Sequence, residues 1–213
     1  MIRILCYGDS NTWGHDPGTW QRLETRWTQV LTGELGLQAA VLEEGLNGRT
    51  TVWDDPIEGD KNGKKQLVCC LDSQRPLDLI ILMLGTNDLK MRFNLSAWEI
   101  ALGAGCLVQL AKDHFVRSQL PVPRILLVSP VWIHPDIIHS SLFCPMFGGL
   151  HAHERSKEFA QHYAAIADEY GCDFFDAASV AAASPIDGVH LDAAEHEKLG
   201  KALACKVRQM MGI

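Results

Sequence analysis

Two short, nearly unbroken apolar runs set the narrowest limit on how this chain can fold: Leu77-Asp78-Leu79-Ile80-Ile81-Leu82-Met83-Leu84 and Arg124-Ile125-Leu126-Leu127-Val128-Ser129. A strand with no polar alternation has no face to give to water, so it belongs at the centre of a parallel sheet covered by helices on both sides. The flanking segments supply those helices and the remaining strands. Ile2 to Tyr7 reads as a strand ending at Gly8, and helical spacing around Trp27, Val30, Leu31 and Leu35 stops at Gly36. Ala39 to Glu43 reads as a second strand, followed by a long polar loop holding Gly45 to Gly63 and a helix near Lys65 to Leu71 that ends before Arg75-Pro76. Ser96 is placed to cap a long helix carrying Ile100, Leu107, Leu110 and Ala111, and Pro121 and Pro123 keep that helix out of the next strand. A further helix is predicted over Glu154 to Tyr170, a fifth strand over Cys172 to Asp176, and a last helix over Ala193 to Met211. This β, α, β, α order specifies the α/β class, as a three-layer α/β/α sandwich wound in both directions from the middle of the sheet. No repeat, linker or low-complexity tract divides the 213 residues, so a single domain over 1–213 is expected.

Charge and hydropathy remove several partner classes. The formal net charge is −7, from 26 Asp and Glu against 19 Lys and Arg, and no basic stripe is present to track a phosphate backbone. Nucleic acid is therefore not an expected partner. The apolar runs fall well short of the roughly 20 residues a membrane helix needs, so no membrane partner is expected either. Met1-Ile2-Arg3-Ile4-Leu5 enters a strand directly, without the pattern of a secretory leader, which points to the cytoplasm. The 7 Cys are odd in number and contain no Cys-x-x-Cys pair, so they read as small apolar side chains rather than as a redox or zinc motif.

Function is written in the turns that follow the strands, where ligands of such sheets bind. Gly8-Asp9-Ser10-Asn11, Gly45 to Thr51 and Gly85-Thr86-Asn87-Asp88 follow the first three strands, and Asp187-Gly188-Val189-His190 precedes the last helix. Together they contain what acyl transfer needs: a hydroxyl nucleophile, an imidazole to take its proton, a carboxylate to orient that imidazole, and donors for an oxyanion. A serine hydroxyl is scarcely ionised near neutral pH and depends on such a base. Ser10 is not in a Gly-x-Ser-x-Gly elbow, since Gly8 and Thr12 flank it, which argues for a scaffold other than the α/β-hydrolase fold.

These four blocks, in this order, resemble those of the SGNH, or GDSL-type, hydrolases. Gly8-Asp9-Ser10-Asn11-Thr12-Trp13-Gly14, Glu43 to Thr51, Asp54-Asp55-Pro56 and Met83 to Asp88 are similar to its bacterial arylesterase and acyltransferase branch. The resemblance implies a flavodoxin-like five-stranded parallel sheet and no metal or organic cofactor. It implies Ser10 as nucleophile, His190 as base and Asp187 as its orienting carboxylate. It further implies an oxyanion hole of the Ser10 N–H, the Gly48 N–H and the Asn87 amide.

Expected substrate contacts are Trp13, Asn47, Trp53 and Val189, with Trp20 and Trp132 also in or near the post-strand loops. The Phe115 to His153 region, including Val131-Trp132-Ile133-His134-Pro135, is expected to build the substrate wall and subunit contacts of a homo-oligomer. Asp9, Arg49 and Asp88 read as residues that shape and tie loops. His151-Ala152-His153 with Glu154 suggests metal ligands, but histidines at the surface start of a helix are the commoner explanation. The expected function is a serine esterase acting on small aryl or short-chain acyl esters, with transfer to alcohols as a second outcome. The competing readings are a carbohydrate O-acetyl esterase and a non-catalytic module that binds a small ligand.

Overall fold

A computed structural model describes residues 1–213 of the chain. The chain begins with β1 (Ile2–Gly8), a one-turn helix α1 (Ser10–Trp13), α2 (Trp27–Leu35), β2 (Ala39–Gly45) and α3 (Gly63–Gln74). It continues through β3 (Leu79–Met83), α4 (Ala97–Arg117), β4 (Arg124–Ser129), α5 (Phe143–Phe147), α6 (Leu150–Lys157) and α7 (Phe159–Glu169). It ends with β5 (Asp173–Asp176) and α8 (Ala193–Met211). The strands form one five-stranded sheet in the order β2-β1-β3-β4-β5, and every neighbouring pair is parallel.

Successive residues of β1 divide between two apolar layers, because strand side chains alternate faces. Ile4 and Cys6 pack with Trp27 and Leu31 of α2 and with Leu199 and Leu203 of α8. Leu5 and Tyr7 face the opposite way, into a layer with Leu67 of α3, Ile100 and Leu107 of α4, and Tyr163 of α7. Both faces are thus dry, as the unbroken apolar runs of β3 and β4 demand. The sequence-predicted α/β/α layering is the architecture observed.

Local signals set the helix ends. Ser96 caps α4 through a reciprocal capping box with Glu99, and Asp192 caps α8 by accepting the Glu195 N–H at 3.1 Å. The stretch expected as one helix from Glu154 to Tyr170 is instead two, α6 starting at Leu150 and α7 at Phe159. The halves serve different neighbours. Arg155 of α6 is buried and donates to the carbonyl oxygens of Leu95 and Leu89 at 2.6 and 2.7 Å, anchoring α6 to the loop beyond β3. Phe159 and Tyr163 of α7 join the core over β3 and β4. The Glu158 N–H bonds back to the Arg155 carbonyl oxygen, a tightened turn that lets the axis change.

Register places the site. Gly8, the last residue of β1, aligns with Gly45 of β2 and Met83 of β3, so three post-strand turns leave the same edge side by side. The chain moves from β1 outward to β2 and then returns to β3 on the other side, and a crevice opens where the direction reverses.

Candidate active site

Ser10 opens α1 immediately beyond β1. Asp9 caps that turn, its carboxylate accepting the Asn11 N–H at 3.0 Å. The turn folds back so tightly that a Cβ on Gly8 would lie 2.0 Å from Thr12 Oγ1, which explains glycine there. Asp187 and His190 arrive from the loop before α8. One Asp187 oxygen accepts the Val189 and His190 N–H groups at 2.8 and 2.9 Å, and the other faces His190 Nδ1 at 2.6 Å. His190 Nε2 lies 2.9 Å from Ser10 Oγ, closing a continuous chain from carboxylate to hydroxyl across 180 positions of sequence. All three residues are buried. Burial alone would raise the Asp187 carboxyl, but its hydrogen bond to His190, the imidazole charge and two amides outweigh burial and hold it below the ordinary carboxylate range.

Gly48 stands in the loop after β2 with φ +83°, a left-handed conformation that costs glycine least. Asn87 begins a 3₁₀ turn after β3 and donates one amide hydrogen to the Arg49 carbonyl oxygen at 3.2 Å, tying the two loops together. Arg49 itself donates to the Gly8 carbonyl oxygen at 2.8 Å and to that of Glu44, and its guanidinium lies 4.1 Å above the Tyr7 ring. Asp88 is fully buried and accepts from the Thr51 N–H at 3.1 Å and the Thr51 hydroxyl at 2.5 Å. Burial pushes the Asp88 carboxyl up to about 7, and burial likewise lifts Asp9 to about 6.

Ser10, Gly48, Asn87 and His190 share one crevice of about 330 Å³ with Asn47 and Val189. Trp13 and Trp53, expected beside them, do not line it. The Trp13 ring is covered by the Arg22 guanidinium at 5.5 Å, and Trp53 lies in the Gly45 to Gly63 loop, half exposed, with its carbonyl bound by Thr50. Trp20 does line the crevice and stacks on Phe143 at 6.3 Å. The expected substrate wall divides. Leu142, Phe143, Met146 and Phe147, in and before α5, form an apolar side, whereas Trp132 to Pro135 border a separate hollow with Ala178 and Ala181.

Two features carried no usable sequence signal. His15 is packed with its ring 4.2 Å from that of His190, and burial, then the imidazole charge, lowers it to about 4. Beside Asn47, which the sequence does single out, the crevice lining includes the charged residues Glu58, Lys61 and Lys90. Glu58 pairs with Lys90 at 2.5 Å and with Arg92, and Arg92 reaches Asp55 at 3.0 Å. These pairings join segments more than thirty positions apart, and no local pattern announces them.

Ligand atoms of His15, Asp187 and His190 lie within 4.8 Å of one another, a spacing a metal can bridge. Asp187 and His190 are committed to each other and to Ser10, however, which leaves His15 as the one unengaged ligand. At the α6 start, His153 turns its Nδ1 to the Ile133 carbonyl oxygen at 2.6 Å, and Glu154 pairs with Lys157 at 3.0 Å.

Residues 6–198 match the model of the GDSL-like lipase/acylhydrolase family. Among solved structures, the aryl esterase of M. smegmatis is 40% identical with a TM-score of 0.92, over 98% of this chain and 99% of that one. A carbohydrate acetylesterase from Sinorhizobium meliloti is 39% identical with a TM-score of 0.93, over 99% and 100%. The lipase/acylhydrolase of Enterococcus faecalis, 16% identical with a TM-score of 0.69 over 99% and 97%, shares the fold. Among curated proteins, none matches this sequence. With a matched segment that reaches from β1 into α8 and spans every block of the crevice, the chain belongs to the GDSL-like lipase/acylhydrolase, or SGNH, family of esterases and acylhydrolases.

Proposed function

We propose that this protein is a serine esterase that cleaves small aryl or short-chain acyl esters through an acyl-Ser10 intermediate. The carrying observation is the hydrogen-bonded chain Asp187, His190, Ser10, at 2.6 and 2.9 Å, opening into a crevice. Ser10 Oγ attacks the ester carbonyl carbon while His190 Nε2 takes its proton, and Asp187 stabilises the imidazolium without accepting that proton. The carbonyl oxygen, now negative, is received by the Ser10 and Gly48 N–H groups and the second amide hydrogen of Asn87. Collapse breaks the bond to the alkoxy oxygen, which leaves as the alcohol with the proton from His190. Water, activated by the same imidazole, then attacks the acyl carbon, releasing the carboxylic acid and restoring Ser10. An alcohol that replaces that water gives transfer instead of hydrolysis, and the two compete for one intermediate.

The aromatic lining residues Trp20, Phe143 and Phe147 favour an aryl or short acyl group, and the resemblance to the M. smegmatis aryl esterase supports that class. The polar lining residues Asn47, Glu58 and Lys61 favour a second reading, an acetyl ester of a sugar, supported by the S. meliloti carbohydrate acetylesterase. Intact mass measured after fluorophosphonate or p-nitrophenyl acetate treatment tests the mechanism. One adduct on Ser10, absent from Ser10→Ala together with turnover, is expected; an unmodified Ser10 with full turnover overturns it. Rates on phenyl acetate against acetylated xylose separate the two substrate readings.

A further inference from the structure

We infer that Asn11 is a positioning residue that locks the His190 loop onto the Ser10 turn and thereby sets the distance between base and nucleophile. The inference rests on the serine esterase reading above.

Asp187 and His190 form a self-contained unit. Besides their ring-to-carboxylate bond, Asp187 holds the Val189 and His190 N–H groups, and the Ser184 N–H reaches the His190 carbonyl oxygen at 2.7 Å. These bonds fix the imidazole relative to its carboxylate. They do not fix it relative to Ser10, which arrives from the other end of the chain. Asn11 does. Its Oδ1 accepts the Leu191 N–H at 2.9 Å and its Nδ2 donates to the Val189 carbonyl oxygen at 3.3 Å, so one carboxamide grips the backbone on both sides of His190. Leu191 offers a donor and Val189 an acceptor, so only one orientation of the amide satisfies both. The grip has a firm root, because the Asn11 N–H is bound by Asp9 and the side chain is buried. Apart from Ser10 itself, no other side chain between Gly8 and Gly14 makes a hydrogen bond to the loop carrying His190.

The residue type supports the assignment. The four-letter run that names the family ends in leucine, and this chain has Asn11 in its place. A leucine side chain can neither donate nor accept, so the clamp is a property of this chain's own letter. A general base must stand about 2.6 to 3.2 Å from the proton it takes, and a misplacement of about 1 Å can cost about a hundredfold in rate.

The test is a double-mutant cycle on p-nitrophenyl acetate. Asn11→Leu is expected to lower kcat by about tenfold while KM stays within about twofold, because the group displaced is the base and not the pocket wall. In a His190→Ala background the same replacement is expected to change the residual rate by less than about twofold, since no imidazole remains to be misplaced. Asn11→Asp keeps the acceptor for Leu191 and loses the donor for Val189; its loss should be smaller, and its cycle decides the matter alone if the leucine variant does not fold. An unchanged kcat, or a tenfold loss repeated in the His190→Ala background, overturns the inference. Full activity of Ser10→Ala would overturn the esterase reading instead, so the two failures are told apart.

Discussion

Asn87 carries two duties with one amide group: one hydrogen ties the Gly48 loop through the Arg49 carbonyl oxygen, and in the proposed reaction the other meets the oxyanion. Removing one such donor typically costs about 2.7 to 4 kcal/mol of transition-state stabilisation. Asn87→Ala should therefore lower kcat by roughly a hundred- to a thousandfold with little change in KM, measured by steady-state hydrolysis of p-nitrophenyl acetate. A second residue-scale expectation concerns pH. His196 of α8 is fully buried, accepts the Trp27 N–H at 3.2 Å through Nδ1, and is lowered by burial from 6.5 to about 3. Between those values the unfolded chain binds a proton that the folded chain refuses, so this residue's contribution to stability is present above pH 6.5 and is lost on acidification toward pH 3. His196→Asn keeps an acceptor for Trp27 and does not titrate. Between pH 7 and pH 5 the parent protein should lose about 2 kcal/mol more than this variant in urea unfolding. Equal losses would show that His196 is not the titrating group.

At the scale of elements, the packing of α8 against α2 decides the sign of two glycine replacements that helix propensity alone would treat alike. A Cβ at Gly200 would lie 2.5 Å from the Val30 Cβ and 2.8 Å from the Trp27 carbonyl oxygen, whereas one at Gly33 meets nothing within 4 Å. In an open helix position, glycine to alanine gains up to about 1 kcal/mol. Gly33→Ala should realise that gain, and Gly200→Ala should instead destabilise by about 1 to 3 kcal/mol because α8 must move off α2. Thermal unfolding of the two variants checks both signs. The same scale explains why helix ends were easier to read than helix continuity. Ser96 and Gly36 announce ends by chemistry local to the backbone they cap. The break at Glu158 has no such mark, because it follows from Arg155 reaching Leu89 and Leu95 some sixty positions away.

For the molecule as a whole, the crevice joins the first strand's turn to the last helix's approach, so it exists only when both ends of the chain are in place. We expect the activity and the helical circular dichroism to disappear together in one denaturant transition, as a single cooperative unit requires. Two separated midpoints would show that the chain folds in more than one unit. The alternation of strands and helices and the covering of both sheet faces follow from hydrophobic pattern together with turn and cap residues such as Gly36, Ser96 and Pro121, because Leu79 to Met83 and Ile125 to Val128 leave water no side to occupy. The polar turns were legible for a related reason, because each follows a strand or precedes a helix and a parallel sheet delivers such turns to one edge. Which residue of each turn to single out, Ser10, Gly48, Asn87 and His190 among them, was implied by the resemblance to the SGNH hydrolases. What surrounds them was decided only in three dimensions. Phe143 and Phe147 enter the crevice while Trp13 and Trp53 stay out of its lining, and His15 rests against His190. Asn11 crosses to Val189 and Leu191. Periodicity reports which way a side chain faces within its own element, and loop contacts between distant segments have no period to report.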